Sequence, residues 1–253
     1  MEFLREAMEY ISQLTRKGEE IRVKEICGKT YAPGNLTRYD DKIDRASVLN
    51  VSTLSAVVDY AAGRLSEWEG RQDGMLLHIV SPTKIIFCSG LDGVRRREYL
   101  LEADAVVNGF SFGKAYDQES FMIGLQSNFE NTSDLAAIMK LAGNIVKSDS
   151  RTYSDDGVTQ VASMRTGVSA SQQALVPNPV LLKPYRTFQE VEQPESPFVF
   201  RIVNSDEEPR FILIEAGGGI WKLKAIERVR EYLRRHLEER LGKDMADVIT
   251  IIG

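Results

Sequence analysis

SPFVFRIVNSDEEPRFILIEA, residues Ser196–Ala216, decides the class of fold. Two runs of β-branched and aromatic residues flank a polar segment that turns at Ser205–Pro209, the composition of a β-hairpin. Directly after it come Gly217, Gly218 and Gly219, and then a basic amphipathic segment. Apolar residues Ile226, Val229, Leu233, Leu237 and Leu241 recur there at helical spacing, which predicts a long helix from about Leu223 to Leu241.

The same grammar repeats upstream. MLLHIVSPTKIIFCSG, residues 75–90, reads as a second hairpin turning at Ser81–Lys84, and RRREYLLEADAVV, residues 95–107, as a following strand. Helices are grouped between the hairpins. One opens the chain on Phe3, Leu4, Ala7, Met8, Ile11 and Leu14 and stops at Gly18. A second carries Leu54, Val57, Val58, Ala61, Leu65 and Trp68 behind a Ser52 or Thr53 cap. Gln118–Asn128 follows a cap at Asp117, and residues 134–146 follow one at Ser133. Short strands are expected over Ile21–Ile26 and at Thr30 and Tyr31, a hairpin around Asp155-Asp156-Gly157, and a last strand in DVITIIG. Three of the eight prolines fall in PNPVLLKPYRTF, so that stretch reads as an edge or irregular crossing. Hairpins with helices grouped between them give an α+β class with a mainly antiparallel sheet and a C-terminal hairpin followed by a long helix. The chain reads as a single domain, 1–253; Pro177–Pro197 is the one stretch where it could be subdivided, and nothing there calls for a cut.

Composition narrows the function. Hydrophobic content of 43% and charged content of 27% are those of a soluble globular chain. A net charge of −5 disfavours nucleic acid as a partner of the whole molecule. No run approaches the roughly 18 apolar residues of a membrane span, and the start of the chain lacks the pattern of a signal peptide. Two cysteines, Cys27 and Cys88, point to buried thiols in a cytoplasmic protein. Two histidines, His78 and His236, are too few for a multi-histidine metal site. No cofactor or metal is expected.

Each chemical motif has a plainer alternative. Gly217-Gly218-Gly219 opens a helix, as phosphate-binding loops do, with Lys222 and Lys224 close behind. The Walker pattern lacks its Lys-Ser/Thr ending here, and the dinucleotide fingerprint lacks its third glycine, so a sharp corner is the competing reading. Arg95, Arg96 and Arg97 form the densest positive run, either an anion site or a strand edge guarded against aggregation. GFSFG, residues 109–113, matches a nucleophile elbow in letters, but the one histidine further along, His236, lies within the final helix. Cys88 and His78 fall on adjacent hairpin strands. The pairs Asp40-Asp41 and Asp155-Asp156 have the composition of solvated turns.

The order of elements resembles the YfdQ-like family of phage and prophage proteins. The segments that carry the resemblance are VLNVSTLSAVVDYAA, LLHIVSPTKIIF, QESFMIGLQSNF, DDGVTQVASM and FVFRIVNSDEEPRFILIEA running into the last helix. The sequence departs from the family pattern at Gly217–Trp221. The resemblance implies a viral or prophage accessory protein working in the bacterial cytoplasm, and it brings no catalytic residues with it. The resulting expectation is a non-enzymatic binding protein and homo-oligomer that engages a host factor or a small anionic ligand, countering host defence. Its ligand residues would be Arg95, Arg96, Arg97, Gly217, Gly218, Gly219, Lys222 and Lys224. The alternative is a self-assembling structural or nucleic-acid-handling phage protein.

Overall fold

Alternation of buried and exposed side chains along residues 75–88 and 208–215 gives the sheets they belong to one face for a core and one face turned outward. The computed structural model describes residues 2–19, 24–26, 29–31, 47–65, 74–92, 95–145, 160–166, 170–205 and 208–253. Met1–Arg45 and Ala46–Gly253 form two separate compact units. The first holds helix α1 (Glu2–Glu19) and an antiparallel hairpin of β1 (Lys24–Ile26) and β2 (Lys29–Tyr31).

The second unit runs β3 (Leu49–Val51), α2 (Leu54–Leu65), β4 (Met75–Ser81), β5 (Lys84–Cys88), β6 (Tyr99–Asp104), α3 (Gln118–Asn128) and α4 (Ser133–Asn144). It continues through the hairpin β7 (Gln160–Thr166) and β8 (Ala170–Val176), then β9 (Val180–Leu182), β10 (Ser196–Ser205) and β11 (Glu208–Glu215). It ends with α5 (Trp221–Leu241), α6 (Lys243–Ala246) and β12 (Ile249–Ile252). The class is α+β, as expected, and the C-terminal hairpin does lead into a long helix.

Two sheets carry the two cores. The larger has the order β12-β4-β5-β6-β3. Its centre is an antiparallel meander, while β12 and β3 join its edges in parallel. Met75, Leu77, Ile79, Ile85 and Phe87 project from one face of it and pack under α2 and α5. The smaller sheet, β11-β10-β9, is antiparallel throughout. Its Phe198, Phe200, Phe211 and Leu213 pack against α3 and α4. Phe121 of α3 stacks there on Phe200 at 5.7 Å and on Phe211 at 5.2 Å between ring centres.

Some local expectations shift. Thr132, one residue before Ser133, caps α4 by accepting the Leu135 amide at 3.2 Å. The β7–β8 hairpin lies beyond the turn composition at residues 155–157. That turn, together with Asp40, Asp41 and Cys27, lies outside the described residues. Arg95–Arg97 precede β6 in a loop instead of alternating along a strand.

Between β9 and β10 the chain forms an irregular connector that is largely buried. Thr187, Phe188 and Gln193 are each 1% exposed or less. Buried backbone outside a sheet needs partners, and Gln193 supplies them. Its Oε1 accepts the amides of Arg186 at 3.0 Å and Thr187 at 3.3 Å. Its Nε2 donates to the carbonyls of Phe188 at 3.1 Å and Val191 at 3.3 Å. The closed loop is then tied outward. Thr187 donates its hydroxyl to the Pro82 carbonyl. Glu190 accepts the first amides of α2, from Leu54 at 2.7 Å and Ser55 at 3.2 Å, where the helix dipole favours a carboxylate. Glu192 binds Arg228 of α5 at 3.2 Å and Lys183 at 2.6 Å. Those two cations hold the Glu192 carboxyl below its usual range.

Gln193→Ala removes four hydrogen bonds at once and leaves their backbone partners buried. Stability is expected to fall by about 3 kcal/mol or more, read as a lower urea midpoint with an unchanged slope. A loss below about 1 kcal/mol would mean the amide does not close the loop.

Candidate functional site

β11 ends at Glu215, and the chain must reverse into α5 within five residues. The three glycines make that possible. Gly218 has φ +59 and Gly219 φ +80, backbone regions that a Cβ disfavours. At Gly217 space is tight, since a Cβ there would lie 3.2 Å from Pro197 Cδ. The amides around the turn bond to nearby carbonyls. Ala216 donates to Pro197 at 3.1 Å, Ile220 to Gly217 at 3.3 Å, and Lys222 to Gly219 at 3.0 Å. Helix α5 then begins at Trp221 without a side-chain cap.

A residue that sequence reasoning passed over holds this corner from beneath. Arg186, only 9% exposed, donates to the Glu215 carboxylate and to the Ser196 hydroxyl. Its guanidinium lies 3.8 Å from the centre of the Trp221 ring, close enough for cation–π attraction. Burial lowers the Arg186 pKa to about 10, against the opposing pull of Glu215, so it is still a cation at neutral pH. One side chain thus joins the connector, the end of β11 and the first residue of α5. In the sequence Arg186 sits in a proline-flanked stretch with no period. The one available clue was a lone arginine between Tyr185 and Phe188 where nothing else was charged.

Apolar side chains are exposed both on the outer face of the smaller sheet and at this corner. On the outer face of the smaller sheet Leu181 lies opposite Pro197, Val199 opposite Ile214, and Ile212 opposite Arg201. Leu181 and Ile214 are each 44% exposed. The turn adds Ile220 at 61% and Leu223 at 70%, with Lys222 and Lys224 exposed beside them. Arg210, on the same outer face, reaches Asp117 at 4.0 Å.

The arginine run belongs elsewhere. Arg95, Arg96 and Arg97 lie in the loop before β6 of the larger sheet, whereas Gly217–Gly219, Lys222 and Lys224 follow the smaller one. Asp92 organises that loop, accepting the Arg96 amide at 2.7 Å and pairing with its guanidinium at 3.5 Å. Arg95 is exposed with φ +62. Arg97 donates to the carbonyls of Ser89 at 2.8 Å and Gly74 at 3.1 Å, which ties the loop to the start of β4.

The reactive side chains are dispersed. Gly109–Gly113 forms no strand–turn–helix elbow, since β6 ends at Asp104 and α3 starts at Gln118. His236 pairs with Glu239 at 2.8 Å on α5. Cys88 lies opposite Leu76, and His78 opposite Ile86, so the two are not cross-strand partners. His78 is exposed, although it lies in an apolar strand where a buried or half-buried imidazole is the ordinary reading. Burial pushes the Cys88 thiol up, away from the reactive thiolate, and Arg97 offsets this in part. Among the described residues no group of three or more His, Cys, Asp or Glu is placed to hold a metal, and no helix is long and apolar enough to cross a membrane. No family model matches the chain, and no curated protein or solved structure matches it.

A methyl group on Gly218 meets nothing within 4 Å, so Gly218→Ala tests backbone conformation alone. The expected cost is about 1 kcal/mol, seen as a lower Tm. Unchanged stability would show that the turn tolerates a second conformation.

Proposed function

We propose that this chain is a phage- or prophage-encoded accessory protein that acts by binding, with no chemistry of its own. In this reading it works as a homo-oligomer in the host cytoplasm and engages a host protein to counter host defence. The observation that carries the reading is the surface at the glycine turn, where Ile220 and Leu223 stand 61% and 70% exposed close in the chain to the exposed Lys222 and Lys224. Large aliphatic side chains grouped on a surface are characteristic of protein docking. Burying each contributes roughly 1.5–3 kcal/mol. On a chain of net charge −5, a basic margin selects an acidic partner and orients its approach. The resemblance to phage and prophage proteins supplies the cellular setting.

A small anionic ligand is the second reading. It is favoured by the uncapped start of α5, a helix of 21 residues whose dipole is turned toward Lys222, Lys224 and the glycines.

Native mass spectrometry of protein purified from bacterial cells, compared with Ile220→Glu/Leu223→Glu, separates these readings. A stoichiometric host protein on the wild type, lost from the folded variant, is the expected result. Lys222→Ala/Lys224→Ala should weaken the same complex roughly tenfold and flatten its salt dependence. A small mass released on denaturation supports the ligand reading instead. A partner retained by the double-glutamate variant would exclude this surface.

A further inference from the structure

The two sheets differ in how their outermost strands are closed. On the smaller sheet both are capped. Tyr116 exchanges backbone hydrogen bonds with Phe211 of β11, and Gly113 donates to the Leu213 carbonyl at 2.7 Å. On β9 the Leu181 amide donates to Asp134 at 2.8 Å, and just past it the Lys183 carbonyl accepts the Glu130 amide at 2.9 Å. On the larger sheet β12 pairs with β4 on one side, and among the described residues nothing pairs with its other side. Its sequence, ITII, has no proline, charge or bulge to discourage a further strand.

A cavity of about 230 Å³ lies along that free edge, lined by Ile249, Thr250 and Ile251. Side chains of consecutive strand residues alternate in direction, so a cavity that all three line follows the backbone edge. Arg234 and Glu238 of α5 form its other wall. They are one helical turn apart, yet among the described residues neither side chain has an ion pair or a hydrogen bond. One turn before Arg234 on the same side of α5, Arg230 donates to the Gly253 carbonyl just past β12. Helix α5 therefore runs antiparallel to β12 beside the free edge.

We infer that a second copy of the chain docks here, its β12 pairing antiparallel with this one across a two-fold axis and continuing the sheet. The inference rests on the homo-oligomer part of the proposed reading. Self-complementary charge singles out a second copy. With the axis between Thr250 and Ile251, the two α5 helices run antiparallel, and Arg234 of each copy comes opposite Glu238 of the other. A lone cation and a lone anion one turn apart are both matched by a partner presenting the same pair in reverse order. A two-fold copy does so by symmetry. Asp247, the third charged residue of the cavity, comes toward the second copy's Gly253 and the Arg230 beside it. Pairing over four residues adds about four backbone hydrogen bonds and fixes the register that aligns the charges.

Arg234 is exposed and Glu238 half-buried, so both can be exchanged without entering the core. Sedimentation equilibrium of the full chain should show concentration-dependent dimers for the wild type. Arg234→Glu and Glu238→Arg, each checked for native circular dichroism, set like charges against each other at both symmetric contacts. Each should weaken the dimer about tenfold or more. An equimolar mixture of the two variants restores opposite charges at both contacts and should recover the dimer, as should the double exchange Arg234→Glu/Glu238→Arg. Hydrogen exchange at Ile249–Ile252 should slow as the wild type dimerises. A monomeric wild type would overturn both this inference and the homo-oligomer reading. A wild-type oligomer unchanged in both single variants, no recovery on mixing, or exchange at β12 indifferent to concentration would overturn this inference alone.

Discussion

The carboxamide of Gln193 is the contact on which residues 46–253 most depend. A chain that passes between two cores without forming a strand must bury backbone amides and carbonyls that no sheet will pair. Gln193 satisfies four of them with one side chain, because a primary amide offers both an acceptor and donors. The loop it closes can then be inserted as a packed body. Phe188 and Val191 enter the core of the larger sheet, and Ser196 opens the first strand pairing of the smaller one.

From that fixed loop the rest of the site follows. Closing the connector positions Arg186, and Arg186 in turn clamps Glu215 and Trp221 on either side of the glycine turn. The cost of burying a guanidinium is offset by a carboxylate, a hydroxyl and an aromatic face. The turn therefore has a defined geometry and presents Ile220, Lys222, Leu223 and Lys224 on a rigid corner. Rigid presentation matters for a binding surface, since side chains already ordered lose less entropy on association.

Much of this architecture was legible in the sequence, and the illegible part has a physical reason. Hairpins at residues 75–88 and 196–215 and the stripe of α5 follow from local period, which reports the face a residue shows to its own element. The Asp117 cap is equally local, with its carboxylate accepting the Ser120 amide at 2.8 Å. The α2 terminus is local only in part: Thr53 caps it as expected, accepting the Ala56 amide at 3.3 Å, but the amides of Leu54 and Ser55 are taken by Glu190, more than a hundred residues away. The connector is the extreme case. PYRTF and the following residues have no period, so the proline-rich crossing was visible, but not its burial or the role of Gln193. For the candidate site, the glycine turn was recognised from its composition. Its apolar surroundings were not, since Leu181 meets Pro197 only through β9–β10 pairing. The arginine run misled in the opposite sense, as its composition is basic while Arg96 and Arg97 are engaged in shaping their own loop.

Native-state hydrogen exchange of the Arg186 and Thr187 amides tests the central claim most directly. Both are donated to Gln193 outside any strand, where a surface loop would exchange quickly. The account predicts protection as deep as in β5 and β10, with exchange only through global unfolding and the same denaturant dependence. Exchange through local opening, at a free energy well below that of the core strands, would contradict it and reduce the connector to a linker between two independent layers.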